Sequence, residues 1–277
     1  MFLDQLADKA SSGSYPIPLF TSVIGETDPE YQWAEFSPFE VGSTYFDSWI
    51  PASAIGKQFN NGLCFDPLPA EKLSFLLGLF GSAYAASIKD ILQTIREDFE
   101  ASYEVETPSC FAWIPWINNI RISPPVMHNF AHNIETCPLS EKEHLTFIDA
   151  GVSTNLPFPP LFRRNVKLYF VCDASSDASS NIGNEMREVE AYAKKHKYPF
   201  PKIDYKKLSS QSLSIIIDED NPQAPIIVYV PNLQQHSMFK FDYSDAEFNQ
   251  LMSGIENVIV QNETPIKQAI VATIKNG

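Results

Sequence analysis

The second half of the chain alternates short apolar runs with segments of helical pattern. The apolar runs are VKLYFVCDAS (residues 166–175), LSIII (213–217) and APIIVYVPNL (224–233), and such near-continuous runs are typical of strands buried on both faces of a sheet. Between the first two, NEMREVEAYAKKHKYPF places Met186 and Val189 along one face, which predicts an amphipathic helix. Strands that alternate with helices in this way predict an α/β fold with a largely parallel central sheet.

Two longer segments are predicted to be helical. In AEKLSFLLGLFGSAYAASIKDILQTIREDF (residues 70–99) the charges cluster at the ends and the middle is apolar, so we expect a buried helix. Membrane insertion is the alternative, but the apolar middle is shorter than the roughly 20 residues that a spanning helix needs. The segment from residue 245 onward is predicted to be a helix that breaks near Thr264 and Pro265, because proline interrupts helical hydrogen bonding.

The first half of the chain is richer in turns and aromatic residues. IPLFTSVIGE (residues 17–26) predicts a strand. Three aromatic side chains in the next stretch are expected to pack beneath a loop: Trp33, Phe36 and Phe39. Residues 100–143 predict loops with short strands, since Trp, Pro and Asn are frequent there. The WIPW sequence in this region, with Trp113 and Trp116, is either part of the core or a lipid-facing lip.

The composition predicts a globular protein with no nucleic-acid partner. The 277 residues, 44% hydrophobic and 13% aromatic, are sufficient for one large core, so we expect a single domain over residues 1–277. A net charge of −14 repels phosphate backbones and gives little attraction to anionic membranes. The cysteines are scattered, without a CxxC pair, and the N-terminal residues lack a signal-peptide pattern. We therefore expect buried thiols in a reducing compartment and a cytoplasmic location.

The most informative segment is HLTFIDAGVSTNLPFPP (residues 144–160). An apolar strand ends there on Asp149, and a buried charge is usually paired, hydrogen-bonded or catalytic because its desolvation costs several kcal/mol. Gly151 allows a close or left-handed turn beside it. Local chemistry leaves two roles open for Asp149. It either caps the following turn through the N–H groups of its own loop, or acts as a catalytic group at the carboxyl end of a strand.

Common catalytic and metal-binding motifs are missing from the sequence. It contains no GxSxG nucleophile elbow, no Gly-rich phosphate loop and no HExxH pair. His128 and His132 have the i, i+4 spacing of a helical ligand pair, but the prolines and asparagines around them argue against a helix. We therefore expect neither a metal nor a cofactor.

Several segments together resemble the cytosolic phospholipase A2 and lysophospholipase catalytic domain of the patatin-like acyl hydrolases. The clearest similarity is in IDAGVSTNLPFPPLFRRNVKLYFVCDASSD and EAYAKKHKYPFPKID. Five shorter segments also occur in the family's order along the chain: QLADKASSGSYPIPLFT, EFSPFEVGS, FLLGLFGSAY, VMHNF and APIIVYV. The similarity covers most of the chain and is weak only in residues 100–125 and 235–277. It implies a patatin-like three-layer α/β fold that hydrolyses fatty acyl esters of glycerophospholipids or lysophospholipids with a Ser–Asp dyad.

The resemblance implies roles for three positions of HLTFIDAGVSTNLPFPP, residues 144–160. Asp149 falls on the family's catalytic aspartate, which takes the proton of the nucleophilic serine, and partial desolvation would raise its pKa for that task. Asn155 matches a polar position next to the site, and Gly151 is expected to shape the turn. These two positions are expected to bind substrate or shape the site.

The resemblance does not extend to the family's nucleophile. The Gly-x-Ser-Gly-Ser elbow and the Gly-rich oxyanion loop precede the matched region in the family, and neither occurs here. A glycine also neighbours Ser12, Ser14, Ser43 and Ser82, but none of these serines has the elbow's context. We expect the chain to be the C-terminal portion of such a domain, apparently lacking its N-terminal part and nearly inactive alone. It would act on phospholipid with a complementary N-terminal chain and touch membranes transiently. The alternative is a non-catalytic module that binds lipid or protein through the loops around Trp113 and Trp116.

Overall fold

The computed structural model describes residues 1–27, 30–82, 125–175, 182–231 and 243–276. The chain divides into two compact units, Met1–Ser153 and Thr154–Gly277. Within these described residues, one hydrophobic core lies in the first unit and two lie in the second.

A six-stranded sheet organises the first unit, with the strand order β4-β3-β2-β1-β8-β7. Its described elements, in chain order, are α1 (Ala7–Ser11), β1 (Phe20–Ile24), β2 (Gln32–Phe36), β3 (Glu40–Ser43), β4 (Ser48–Pro51), β5 (Phe59–Asn60), β6 (Leu63–Cys64), α2 (Leu73–Phe80), β7 (Val126–His128) and β8 (His144–Asp149). Strands β5 and β6 pair separately as a short hairpin. Single 3-10 turns are formed by Leu3–Leu6, Gly25–Thr27, Ala52–Ala54 and Ala150–Val152.

Every described strand pair in this six-stranded sheet is antiparallel, so the prediction of a largely parallel central sheet is not confirmed. The physical reason lies in the connections. Strands β1 to β4 follow one another after only a few residues, which suffices for a hairpin, whereas a parallel pair needs a crossover of a dozen or more residues. An apolar run alone does not distinguish the two pairings, because it reports burial and not strand direction.

Strand β8 lies within the sheet, between β1 and β7, and supplies two core residues. Leu145 and Phe147 are fully buried, and the Phe147 ring packs edge-on against Phe36 with centroids 5.8 Å apart. Trp33 and Phe36 are buried on strand β2, so their prediction as residues beneath a loop was wrong. Phe39, beyond the end of β2, is 44% exposed.

The second unit has a three-stranded sheet of order β10-β11-β9. Its elements are α3 (Pro159–Phe162), β9 (Leu168–Asp173), α4 (Asn184–Lys195), α5 (Tyr205–Leu208), β10 (Ser214–Ile216), β11 (Ile226–Pro231), α6 (Asp245–Gln261) and α7 (Glu263–Asn276). Strands β9 and β11 are parallel, while β10 joins β11 antiparallel. Burial on both faces is confirmed for β11 but wrong for β9, where Phe170 and Cys172 are exposed.

The helices of the second unit match their predictions closely. Helix α4 buries Met186, Val189 and Ala193 along one face, as its apolar spacing requires. The last helical segment is divided at Asn262, and Pro265 occupies the first turn of α7, where a missing N–H costs little. The observed break at Asn262 is therefore close to the break predicted near Thr264 and Pro265.

Helix α2 covers only the start of the helical segment predicted for residues 70–99, and residues 83–99 lie outside the described part of the chain. In the described residues, no helix is long and apolar enough to cross a membrane. The expectation of buried thiols holds for Cys137 but is wrong for Cys64 and Cys172, which are exposed; Cys110 lies outside the described residues.

Candidate active site

Asp149 is the last residue of strand β8, as the sequence predicts. The strand is hydrogen-bonded on both edges, and its register with β1 places Asp149 opposite Ser22. Side chains alternate between the faces of a strand, so Asp149 belongs to the same face as the buried Leu145 and Phe147. The Asp149 carboxylate therefore lies at the end of a row of side chains that face the core, and it is only partly exposed.

The Asp149 carboxylate caps the turn that follows it. Its Oδ1 atom accepts a hydrogen bond of 2.8 Å from the backbone N–H of Gly151, inside the 3-10 turn Ala150–Val152. This is the capping geometry that local chemistry favours for an aspartate before a turn. Among the described residues, Oδ2 accepts no hydrogen bond. One carboxylate oxygen, Oδ1, therefore anchors the side chain to the turn.

Ser82 is the glycine-neighbouring serine that lies beside Asp149. It follows α2, is 8% exposed, and its Oγ accepts a hydrogen bond from the backbone N–H of Asp149 at 3.1 Å. The contact is with the main chain of Asp149, so the hydroxyl fixes the end of β8. The other three serines make contacts elsewhere: Ser12 and Ser14 share a hydrogen bond on the surface, and Ser43 donates to the Trp33 carbonyl.

Asn155 belongs to the second compact unit and is held by Glu185 in the first turn of α4. Its backbone N–H donates to Glu185 Oε2 at 2.7 Å, and its side-chain amide donates to Oε1 at 2.9 Å. Thr154 adds a hydrogen bond of 2.9 Å to Oε2. Sequence reasoning missed Glu185, although an acidic residue in the first turn of a predicted helix is a recognisable signal for such a role.

A second carboxylate that sequence reasoning missed, Asp173, ends strand β9 and is 4% exposed. The Tyr229 hydroxyl donates to its Oδ2 at 2.6 Å, and Ser175 donates to Oδ1 through its backbone N–H and its hydroxyl. Burial, followed by the hydrogen bond to Asp173, raises the pKa of Tyr229 well above its usual value. These donors satisfy the buried charge, which is the requirement for keeping it in the core.

The histidines predicted as a possible helical pair are not on a helix. His128 ends strand β7, and His132 lies in the turns that follow. The partner of His128 is His144 on β8, with ring centroids 4.3 Å apart. Glu143 adjoins them, and the ligand atoms of the three side chains lie within 4.8 Å of one another. Trp113 and Trp116, named for the alternative lipid-binding function, lie outside the described residues.

Comparison with protein families identifies the chain. Residues 3–207 match the model of the lysophospholipase catalytic domain, which is most of the sequence. The chain belongs to this family. It is similar to the mouse cytosolic phospholipase A2 epsilon, with 23% identity over 79% of this chain and 32% of the relative. It is also similar to the mouse cytosolic phospholipase A2 zeta, with 20% identity over 97% of this chain and 42% of the relative.

The fold of the chain is mixed α/β, and it resembles solved structures of a cytosolic phospholipase A2. The chain is similar over its whole length to 47% of the human GIVD cytosolic phospholipase A2, with a TM-score of 0.77 and 17% identity. A second structure of that protein, in complex with methyl gamma-linolenyl fluorophosphonate, gives a TM-score of 0.66 and 20% identity. At such identity the likeness shows the fold alone. The chain spans less than half the length of the family relatives and structures just described.

Proposed function

We propose that this chain supplies the acid half of a Ser–Asp dyad that hydrolyses fatty acyl esters of glycerophospholipids or lysophospholipids. The observation that supports the proposal is the place of Asp149 at the end of β8, within the residues that match the family model. The role of catalytic aspartate is what the sequence resemblance implies for it. The family model spans this residue, and the related proteins are named as phospholipases A2.

The geometry around Asp149 is compatible with base catalysis. A serine hydroxyl is a weak nucleophile until a neighbouring base accepts its proton. The hydrogen bond from Gly151 fixes Oδ1 and hence the orientation of the carboxylate, whereas Oδ2 has no donor among the described residues. Oδ2 is therefore the atom that we assign to proton transfer. On this proposal, capping and catalysis are two roles of one side chain, each performed by a different oxygen.

The nucleophile is assigned to residues outside these 277, either earlier in a longer polypeptide or on a separate chain. The sequence has no Gly-x-Ser-Gly-Ser elbow, and the Ser82 hydroxyl is bonded to the backbone of Asp149. In this proposal residues 1–277 form the C-terminal portion of a family catalytic domain. The relatives are named cytosolic, so we infer a cytoplasmic location with transient contact at membranes where the substrate resides.

The test begins with the 277-residue chain in an assay of phospholipid and lysophospholipid ester hydrolysis. We expect almost no turnover, because a hydrolase without its nucleophile and oxyanion donors loses nearly all of its rate. Turnover should appear when a polypeptide that carries the Gly-x-Ser-Gly-Ser elbow is co-expressed or fused before Met1, and Asp149→Asn should abolish it. Robust hydrolysis by the chain alone, lost in Asp149→Asn, would place the nucleophile within these residues and overturn the proposal.

A second candidate function, binding to lipid without catalysis, is favoured by one observation. Three large apolar side chains at and after the β5–β6 hairpin are exposed: Leu63 (73%), Phe65 (60%) and Leu68 (65%). Exposed apolar groups of this kind occur at interaction surfaces. Hydrolysis in the presence of the elbow-bearing polypeptide distinguishes the candidates, because a purely binding protein should show none while it still sediments with phosphatidylcholine vesicles. Phe65→Ser should weaken that sedimentation, and Asp149→Asn should leave it unchanged.

A further inference from the structure

We propose that His128, His144 and Glu143 form a surface site for a divalent transition-metal ion such as Zn²⁺. The site lies in the first compact unit, on the strand pair β7–β8, and it does not depend on the hydrolase function proposed above. It revises the expectation, drawn from sequence, that the protein binds no metal.

The register of the two strands brings the imidazoles together. Asn129 N–H donates to the Glu143 carbonyl at 2.8 Å, and Phe147 N–H donates to the Pro125 carbonyl at 3.1 Å. These bonds make His128 and His144 a non-hydrogen-bonded pair, the position in an antiparallel ladder at which facing side chains approach most closely. The ring planes are tilted by 36°, with their centroids 4.3 Å apart.

Glu143 lies in a bend just before β8 begins, so the alternation of side chains along the strand does not direct it to the opposite face. Its backbone carbonyl accepts the hydrogen bond from Asn129 on the neighbouring strand end. The ligand atoms of the three side chains lie within 4.8 Å of one another. Two nitrogens bound to Zn²⁺ at about 2.0–2.1 Å are roughly 3.3 Å apart in a tetrahedral arrangement. Rotation of the exposed Glu143 and His144 side chains toward the partly buried His128 would close the remaining distance, and water would complete the coordination.

The buried side-chain amide of Asn129 fixes the backbone around the proposed site. Asn129 is fully buried and follows His128 in sequence. Its Nδ2 donates to the carbonyls of Leu139 and Lys142 at 2.9 Å each, and its Oδ1 accepts from the Ala131 N–H at 2.9 Å. These bonds tie together the two ends of the connection between β7 and β8. The backbone positions of the three ligands are thus held by the fold, which reduces the ordering that metal binding requires.

The donor set selects the class of metal. Imidazole nitrogens suit Zn²⁺, Cu²⁺ and Ni²⁺, whereas Ca²⁺ and Mg²⁺ prefer oxygen ligands. Two histidines with one carboxylate, leaving a position for water, is a known arrangement around zinc. The chain's net charge of −14 further favours the approach of cations.

The experiment is a calorimetric titration of the 277-residue chain with ZnCl₂. We expect binding that His144→Gln and His128→Gln each weaken by at least about tenfold, since loss of a direct ligand should exceed the effect of losing an outer partner. Glu143→Gln should weaken binding less. His132→Gln is the matched control, because His132 lies in the same connection but outside the group, with its Nδ1 3.2 Å from the Lys142 carbonyl. Its affinity should equal that of the unmodified chain.

A second measurement needs no substitution and so does not depend on the variants folding. Zn²⁺ should shift the imidazole ¹⁵N resonances of His128 and His144 in the unmodified chain, while CaCl₂ should leave them unchanged. Absence of binding at millimolar Zn²⁺ would overturn the proposal. Binding that both histidine variants retain, with unshifted His128 and His144 resonances, would overturn it as well.

Discussion

The hydroxyl oxygen of Ser82 accepts a hydrogen bond from the backbone N–H of Asp149 across 3.1 Å. This contact joins a residue two positions beyond the end of α2 to the last residue of β8, and the two residues are 67 positions apart in sequence. Asp149 is therefore held on both sides, by Ser82 at its backbone and by Gly151 at its carboxylate. Contacts within the first unit therefore fix both the backbone and the carboxylate of Asp149.

Ser82→Ala should destabilise the first unit by about 1–2 kcal/mol, because it leaves a partly buried N–H without its acceptor. Urea unfolding followed by circular dichroism measures the change. Ser12→Ala is the control, since the Ser12 hydroxyl is on the surface. In the reconstituted hydrolase, Ser82→Ala should reduce turnover without abolishing it. Complete loss in a folded variant, together with covalent labelling of Ser82 by a fluorophosphonate in the unmodified chain, would contradict its assignment as a positioning residue.

Substitutions of Asp149 should separate capping from catalysis. Asp149→Asn keeps a side-chain oxygen that can accept from Gly151, so the free energy of unfolding should change little. Asp149→Ala removes the cap and should cost about 1 kcal/mol. Both variants should abolish hydrolysis in the reconstituted enzyme. Thermal unfolding of the two variants, measured side by side, checks the difference, and equal destabilisation would show that the cap contributes nothing.

Glu185→Ala should destabilise the second unit by about 1.5–3 kcal/mol, since the carboxylate accepts charged hydrogen bonds from Thr154 and Asn155. Glu188→Ala is the matched control on the same helix, where the side chain is exposed. Denaturant unfolding gives both values. A cost for Glu185→Ala no larger than for Glu188→Ala would mean that the residues around Asn155 are not held by this carboxylate.

Tyr229→Phe should cost about 1.5–3 kcal/mol at neutral pH, because the buried carboxylate of Asp173 loses a donor. Tyr198→Phe is the control, since its ring stacks on Phe162 in the same unit and the substitution preserves that contact. Equilibrium unfolding in urea measures both variants, and equal costs would contradict the importance of the hydrogen bond to Asp173.

The same tyrosine predicts how stability depends on alkaline pH. Burial raises the pKa of Tyr229, and the hydrogen bond to Asp173 raises it further. Burial also raises the pKa of Tyr169 and of Tyr205. The raised pKa values contribute to the free energy of unfolding in full at pH values below the unfolded-state pKa of about 10. This contribution is lost as the pH rises above that value, because the unfolded chain then releases protons that the folded chain retains. Unfolding free energies measured from pH 9 to 11.5 should fall, and less steeply in Tyr229→Phe.

The sequence predicted those parts of the fold that follow from local pattern. The end of β8 on Asp149, the face of α4 that carries Met186, and the break before Pro265 were all expected. Each of these features depends only on residues that are close in sequence. The end of β8 follows from an apolar run that meets a polar turn, the face of α4 from the helical spacing of apolar residues, and the break from the missing N–H of proline. The role of Asp149 in catalysis rests on family resemblance and stays a prediction.

Pairing between distant segments could not be predicted in this way. The apolar pattern of β1 indicates burial but not the antiparallel direction of its neighbours. The contact of His128 with His144 depends on register between two strands, so sequence reasoning compared His128 with His132 by spacing instead. Glu185 was missed for the same reason, since its partner Asn155 lies 30 residues away.

Strand β8 is hydrogen-bonded on both edges, so a change in its number of residues has a different effect from a change in their identity. Conservative replacements within it alter single contacts. An insertion of one residue between His144 and Asp149 would instead exchange inner and outer positions for the rest of the strand. Asp149 would leave the row of Leu145 and Phe147, and its carboxylate would be directed to the opposite side of the sheet. The parity of this six-residue strand is thus as much a part of the site as the identity of its last residue.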